Sequence, residues 1–393
     1  MSTTAHQPVP ALNQAGSQTQ IALTEFRMRF LDALGKYTLP EMTKLGDQQT
    51  SNMLETRYPV GVNDPVFKAL VADNPEFIQL TEIFFELFTA PYQTAAVEKG
   101  ARLRTAEWAR VGWGKFPAKA AFALVSLFER LLAGNATATT ANPVVGGFKG
   151  GEATPSCENL NGSTAIKIFQ VEHPANPFDT SKGTYDNLYT GAAAGTGEGL
   201  HADGNYPGAL PLNVNSVRIV RNLFGTQLGP NGVDPRGYDL THIACGKDLE
   251  ETLLTLVKDD NLLVVSSGAA TPATDAPLVL RPNPLKKYKP ITPIINPFLN
   301  EPGVWYPIAA DETGECPWMT LVKVPNNSGQ VPGMPGPGIV MADGIEWKIW
   351  NELSTLYLEG SKVGPAGSVA IAALVEAGAG ITWPWRIKRC KPT

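Results

Sequence analysis

Proline sets the limits on what this chain can fold into. Pro40, Pro59 and Pro65 break the region after the first helical pattern, Pro91 ends a second pattern, Pro117 opens a third, and Pro174 and Pro177 form a corner near the middle. Each proline fixes φ and removes a backbone donor, so helices are confined to short windows and the remaining chain runs extended or turns. The sequence holds 33 prolines and 38 glycines, and only 18% of its residues are charged, against about a quarter in an average soluble domain. A loop-rich chain with so little charge suits a subunit that buries much of its surface against others.

The corner itself lies in Ile166–Gly191. Ile166, Ile168 and Gln170 alternate with Lys167, Phe169 and Val171, the two-residue period of a strand, which the prolines then stop. His173, followed by Pro174 and surrounded by aromatic residues and glycine, reads as a structural residue of a rigid turn rather than a catalytic centre.

A chain of 393 residues and 42.1 kDa has room for two or three domains and a sizeable core without disulfides. Cys157, Cys245, Cys316 and Cys390 are scattered, with no C-x-x-C pair and no histidine at ligand spacing, so neither a zinc site nor a redox pair is indicated and a reducing compartment is the simpler expectation. Net charge is −5, and Lys286, Lys287 and Lys289, like Arg386, Lys388, Arg389 and Lys391, form only brief basic runs. Sequence-specific nucleic-acid binding is not suggested. Ser2–Gln20 is polar and reads as an arm, without the apolar segment of a signal peptide. The apolar run Val369–Ile381 is broken by Glu376 and several glycines and falls short of the roughly 20 residues that a membrane span needs.

Along the chain, Ile21, Phe26, Phe30, Leu31 and Leu34 predict a first helix ending at Gly35, and Leu39–Asn74 an irregular or hairpin-like arm. Asn74-Pro75-Glu76 predicts a helix start, with Phe77, Leu80, Phe84, Leu87 and Phe88 as its apolar face and Pro91 as its end. Residues 94 to 134 form a long helical block, the spine, in which Gly112, Gly114 and Pro117 either separate two helices or kink one. Asn135–Asn161 and Gly191–Gly208 read as connections. An α/β pattern follows: helices through Val217–Leu228 and Leu249–Val257, and strands at Leu240–Ala244 and Leu262–Ser266. Beyond a proline-punctuated section, Val304–Ile308, Met319–Val324, Ile345–Trp350, Thr355–Leu358 and Ser368–Lys388 read mainly as strands.

Each pattern that invites chemistry also has a plainer reading. Gly195-x-Gly197-x-Gly199 lacks a preceding strand and the Gly-Lys-Ser/Thr of a phosphate loop, and reads as a flexible loop. His201 and Asp203, with His173, offer metal-ligand types without recognisable supporting partners. Ser266-Ser267-Gly268 is no nucleophile elbow, and His242 with Cys245 lies at the end of an apolar strand, where a small buried cysteine is ordinary. Asn135-Ala136-Thr137 and Asn161-Gly162-Ser163 match glycosylation triplets that are frequent by chance. Trp305, Trp318, Trp347, Trp350, Trp383 and Trp385 suggest a sugar platform, or, more simply, core and interface packing. No catalytic, cofactor-binding or metal residue is assigned.

Phe169, then Glu172-His173-Pro174, Asn176-Pro177-Phe178-Asp179 and Gly183-Thr184-Tyr185-x-Asn187-Leu188 resembles the signature of the Mu-like prophage major head subunit family. Further segments agree in order over roughly residues 20 to 390. Upstream is the arm and helical block Leu54–Gly134; downstream come the helix, Leu-Thr-His strand and Leu-Glu helix of Val217–Val257, then Trp305-Tyr306-Pro307 and Tyr357–Gly360. Gly134–Asn161 and Val331–Gly338 are longer than the pattern, and Trp383-Pro384-Trp385 has no counterpart in it.

The resemblance implies an α+β capsid fold of the tailed-bacteriophage, Hong Kong 97 type. Its N-terminal arm would be 1–50, its extended loop 51–93, its peripheral domain with the spine helix 94–194 and 346–393, and its axial domain 195–345. The implied function is structural and not enzymatic: a major capsid protein that self-assembles, as pentameric and hexameric capsomers, into the icosahedral shell around double-stranded DNA. Portal, scaffold or maturation protease, and decoration proteins, are implied partners, with no cofactor and no membrane. The implied location is the virion capsid, assembled in the bacterial host cytoplasm. Some relatives crosslink lysine to asparagine between subunits; Lys68 lies in the extended-loop region, but no motif marks it as reactive. The rival class is a secreted hydrolase or carbohydrate-binding protein, drawn from the tryptophans, the glycosylation triplets and His201/Asp203; another virion component, portal or decoration protein, is a third.

Overall fold

The computed structural model describes residues 28–33, 42, 45–51, 56–61, 82–87, 90–98, 116–134, 156–159, 162–165, 167–189, 209–229, 235–265, 278–310, 317–323, 339–340, 345–353, 356–358, 361–363 and 368–392. They form a mixed helix-and-sheet fold, as expected.

The layer that organises the core is a five-stranded sheet, in the order Thr292–Ile295, His242–Cys245, Trp305–Ile308, Arg389–Cys390 and Leu188–Tyr189. Successive side chains of a strand point to opposite faces, and here they enter two different cores. Ile243, Cys245, Trp305 and Cys390 join one cluster, whereas Ala244, Ile294, Tyr306 and Ile308 join the other. Helices Val214–Thr226 and Glu250–Lys258 supply the first core, through Val217, Val220, Phe224, Leu253 and Leu256. Helix Phe116–Ala133 supplies the second, through Phe128, Leu131 and Leu132, together with Met42, Phe169 and Trp318.

The helix ends follow local chemistry. Asn213 caps the Val214–Thr226 helix, its side-chain oxygen accepting from the Ser216 N–H at 2.9 Å. Pro117 stands in the first turn of Phe116–Ala133, where its missing N–H costs nothing. Gly134, at φ 76°, closes that helix, and its N–H donates to the Leu131 carbonyl.

A second, six-stranded sheet is built on the long strand Ser368–Ile381. That strand pairs antiparallel with Ala90–Glu98, with Ile345–Leu353 and with Trp318–Lys323; Asp47–Ser51 adds parallel to Trp318–Lys323, and Ile339–Val340 antiparallel to Ile345–Leu353. A four-stranded sheet joins Thr56–Gly61, Glu82–Leu87, Ser156–Asn159 and Gly162–Ala165.

Three sequence expectations change. The helix expected from Asn74 through Phe88 is extended over Glu82–Leu87, where it pairs with Thr56–Gly61. Pro91, its expected end, lies inside the strand Ala90–Glu98, which among the described residues pairs with Ser368–Ile381 alone; at such a sheet edge the missing N–H breaks no ladder. Within the spine block 94–134, Phe116–Ala133 is helical as expected and the first residues, 94–98, are strand, while 99–115 lie outside the described residues. The strand expected at Ile166–Val171 is instead a bend and turn, with Glu172 at φ 54°, and pairing is confined to His173–Pro174 with Thr184–Tyr185. The helices and strands expected between Val217 and Ile308 appear with ends shifted by a few residues.

Candidate functional site

The corner of residues 167–189 and the C-terminal segment 383–391 close on each other, and more buried polar groups meet there than a packing core requires. Asn187 is fully buried and replaces the missing strand partner. Its Oδ1 accepts from the Gln170 N–H at 2.8 Å, while Nδ2 donates to the Ile168 carbonyl at 2.7 Å and to Pro384 O at 3.4 Å. The Asp186 carboxylate accepts from the Glu172 N–H at 2.8 Å, holding the left-handed residue in place. From the other side, the Arg389 N–H donates to Asn187 O and the Lys391 N–H to Tyr189 O.

His173 is completely buried between aromatic rings, with Tyr185 at 4.8 Å and Trp385 at 6.1 Å between centroids. Its Nδ1 lies 3.0 Å from its neighbour's carbonyl, Pro174 O. Burial pulls its pKa down to about 4, against the opposing effect of the Pro174 and Lys167 carbonyls, and the nearby Lys388 adds to the lowering. A neutral imidazole in an apolar box packs the corner; it is not set up to exchange protons near pH 7.

Four basic side chains of the closing segment deserve separate placement. Arg386, at 1% exposure, donates to the Ala309 carbonyl and lies 4.7 Å over the Tyr238 ring. Arg389 makes a two-pronged bond to Glu301, at 2.8 and 2.7 Å. The Lys388 ammonium position is bonded to the Asp186 carbonyl at 2.9 Å and to Gln227 Oε1 at 2.7 Å. Only Lys391 remains partly exposed. Gln227 in turn donates to Trp385 O at 2.8 Å, and Trp385 Nε1 to Ala175 O at 3.0 Å. In sequence Arg386–Lys391 is a brief basic run, and its interleaving with Trp383, Trp385, Ile387 and Cys390 is the signal for burial.

A comparable polar tie fixes the other core. Asn296 Nδ2 donates to Glu129 Oε2 at 2.9 Å and approaches Met42 Sδ at 2.9 Å, and the Asn296 N–H donates to Cys245 O. This joins the Phe116–Ala133 helix to the five-stranded sheet.

The remaining sequence candidates are not brought together. His242 and Cys245 sit three apart on one strand and so face opposite sides; His242 Nδ1 pairs with Thr241 Oγ1 at 2.8 Å. Cys245 is fully buried, and burial pushes its thiol up to about 12, far from a reactive thiolate. Trp305, Trp318, Trp383 and Trp385 are buried at 0 to 3% exposure and form no sugar platform. Gly195, Gly197, Gly199, His201, Asp203, Ser266, Asn135, Asn161, Lys68 and the side chains of Trp347 and Trp350 lie outside the described residues. Among the described residues, no group of three His, Cys, Asp or Glu side chains is placed to hold a metal, and no helix is long and apolar enough to cross a membrane.

No family model matches the chain, and no curated protein does. Solved structures similar to it include one of Microbacterium phage Oxtober96, at 8% identity and a TM-score of 0.43 over 91% of this chain and 92% of that one. The capsid of a native GTA particle is similar at 7% identity and a TM-score of 0.42, over 91% of each chain. The capsid of Ralstonia phage GP4 is similar at 12% identity and a TM-score of 0.40, over 89% of this chain and 87% of that one.

Proposed function

We propose that this chain is a major capsid protein of the Mu-like head subunit type, which self-assembles into the icosahedral shell around the double-stranded DNA of a tailed bacteriophage. One observation carries the reading. The short motifs that make the chain resemble that family are far apart in sequence, yet Leu188, His242 and Trp305-Tyr306-Pro307 lie on strands of a single sheet. Motifs that build one core together are stronger support than the same number of isolated matches.

In this reading the arm is 1–50, the extended loop 51–93, the peripheral domain 94–194 and 346–393 with Phe116–Ala133 as its spine, and the axial domain 195–345. The five-stranded sheet, drawing Leu188–Tyr189 and Arg389–Cys390 from one domain and the other three strands from the other, is then the joint between them. The buried corner is a structural cement and takes no part in catalysis.

Two physical features favour a subunit completed by its neighbours. The pairing of Asn261–Val265 with Leu278–Pro282 is a two-stranded ribbon with Leu280 at 66% exposure, and such a ribbon is marginal in water without a further surface to lie on. Phe122, on the helix Phe116–Ala133, is 59% exposed. Neighbouring copies in pentamers and hexamers would cover such surfaces, and obligate interfaces of this kind bury about 2,000–5,000 Å². Portal, scaffold or maturation protease are assembly partners in this reading, which places the product in the virion after assembly in the bacterial host cytoplasm.

Electron microscopy of the purified chain tests the proposal. Shells, or pentameric and hexameric capsomers, are the expected result; a stable monomer that turns over a substrate overturns it.

A further inference from the structure

Lys388 is buried at 2% exposure and is held by oxygens that carry no formal charge. Its Nζ donates to the Asp186 backbone carbonyl at 2.9 Å and to Gln227 Oε1 at 2.7 Å. The two other groups against it are rings, Phe224 at 4.8 Å and Tyr185 at 5.7 Å from their centroids. Two acceptors satisfy the two N–H bonds of a neutral amine; an ammonium carries a third, which meets ring faces that offset part of its desolvation, with no carboxylate among its hydrogen-bond acceptors to balance the charge. The arrangement also spans the joint, because the acceptors belong to the corner and to the end of helix Val214–Thr226, while Lys388 belongs to the C-terminal segment.

Among the described residues, the titratable and charged groups around it are few. The corner presents His173, Tyr185 and the Asp186 carboxylate, which accepts from the Glu172 N–H. Its own segment presents Cys390, while Arg386 turns to Ala309 O and Tyr238. The helix side presents the uncharged Phe224 and Gln227, and strand Trp305–Ile308 gives only Pro307 O, which accepts from the Lys388 N–H.

We propose that Lys388 is a proton-linked clamp: the C-terminal segment seats on the corner with release of one proton, so that the joint holds more tightly as the pH rises and loosens as it falls. Burial brings the Lys388 pKa down to about 7, partly opposed by Cys390 and Asp186. An exposed lysine keeps its proton up to roughly pH 10.4. Between those values the open segment binds one proton more than the seated one, so closure gains about tenfold in equilibrium constant per pH unit; below pH ~7 both forms are protonated and the dependence ends.

Hydrogen exchange of the full-length, unassembled chain between pH 7 and 9 tests this. Intrinsic amide exchange speeds up about tenfold per pH unit, so tightening at the same rate cancels it. The amides of Lys388, Arg389 and Lys391, bonded to Pro307 O, Asn187 O and Tyr189 O, are expected to exchange at a rate nearly independent of pH. The Asp259 amide, bonded to Thr255 O at the end of another helix, is expected to speed up about tenfold per unit. Lys388→Met is expected to restore the tenfold rise in the segment, and so is Gln227→Glu, whose carboxylate would keep Lys388 protonated. Wild-type segment amides that accelerate tenfold per unit would overturn the proposal whether or not either variant folds. So would a flat response that persists in a folded Lys388→Met.

Discussion

Replacing Asn187 by leucine tests whether the corner depends on one side chain. The substitution keeps the γ-branched shape, with methyl groups bulkier than the amide oxygen and nitrogen, and preserves the backbone bonds from Asn187 N to Gln170 O and from Arg389 N to Asn187 O. It removes the acceptor for the Gln170 N–H and the donor to Ile168 O, at 2.8 and 2.7 Å; the 3.4 Å bond to Pro384 O is long and contributes little. Because Asn187 and Ile168 are fully buried, water cannot take over the bond to the Ile168 carbonyl, while the Gln170 N–H lies in a partly buried position. Each unsatisfied buried group costs about 1–3 kcal/mol, and the leucine recovers about 1–2 kcal/mol of apolar burial. Two such groups cost about 2–6 kcal/mol together, so the net expectation is a loss centred on ~2.5 kcal/mol, a large share of the roughly 5–15 kcal/mol that holds a typical domain together. Denaturant unfolding of the unassembled chain, followed by tryptophan fluorescence, measures it, since Trp383 and Trp385 stand in the segment that closes the corner. Asn215→Leu, on the exposed face of the Val214–Thr226 helix, is the control. A shift within about 0.5 kcal/mol of wild type at Asn187 would refute the reasoning, for it would mean that Gln170 and Ile168 find other partners.

Other outcomes follow from the same structure. His173 has a folded pKa of about 4, below its ordinary 6.5, so the unfolded chain takes up its proton first as the pH falls. Stability is therefore expected to drop by roughly 3 kcal/mol between pH ~6.5 and ~4, and thermal melts of His173→Leu across that window should show a correspondingly smaller drop. His173→Ala, which empties the space between Tyr185 and Trp385, is expected to lower the yield of assembled particles in electron micrographs without removing any enzymatic activity. Gly246→Ala would place a Cβ against the backbone carbonyl of Leu299; an expected loss of about 1–3 kcal/mol is readable as a lowered denaturation midpoint.

Elements fixed by near neighbours were legible in the sequence. The Val214–Thr226 helix carries its apolar stripe at Val217, Val220 and Phe224 in its own residues, and the strands at His242–Cys245 and Trp305–Ile308 are compact apolar runs. Failures occur where distant residues decide. Glu82–Leu87 has a helix-like spacing of apolar residues with the segment before it, but its ladder comes from Thr56–Gly61, and long-range pairing outweighs local propensity. The alternation at Ile166–Val171 is real, yet Asn187, 17 to 19 residues further on, takes the backbone groups that a strand partner would have used. The buried corner was recognisable as a rigid turn around His173. Its anchoring by Lys388 and Arg389 was not, because a lysine or arginine in sequence gives no sign of the carbonyl or carboxylate awaiting it some 90 to 200 residues away.

The long strand Ser368–Ile381 has one further consequence, which concerns time rather than space. It is made after every strand that it pairs with: Ala90–Glu98, Trp318–Lys323 and Ile345–Leu353 all leave the ribosome earlier. At translation rates of about 5–20 residues per second, Ala90–Glu98 waits on the order of ten seconds or more for its partner. The five-stranded sheet waits as well, for Arg389–Cys390. Until that stretch is made, a nascent chain holds neither the six-stranded nor the five-stranded sheet in finished form.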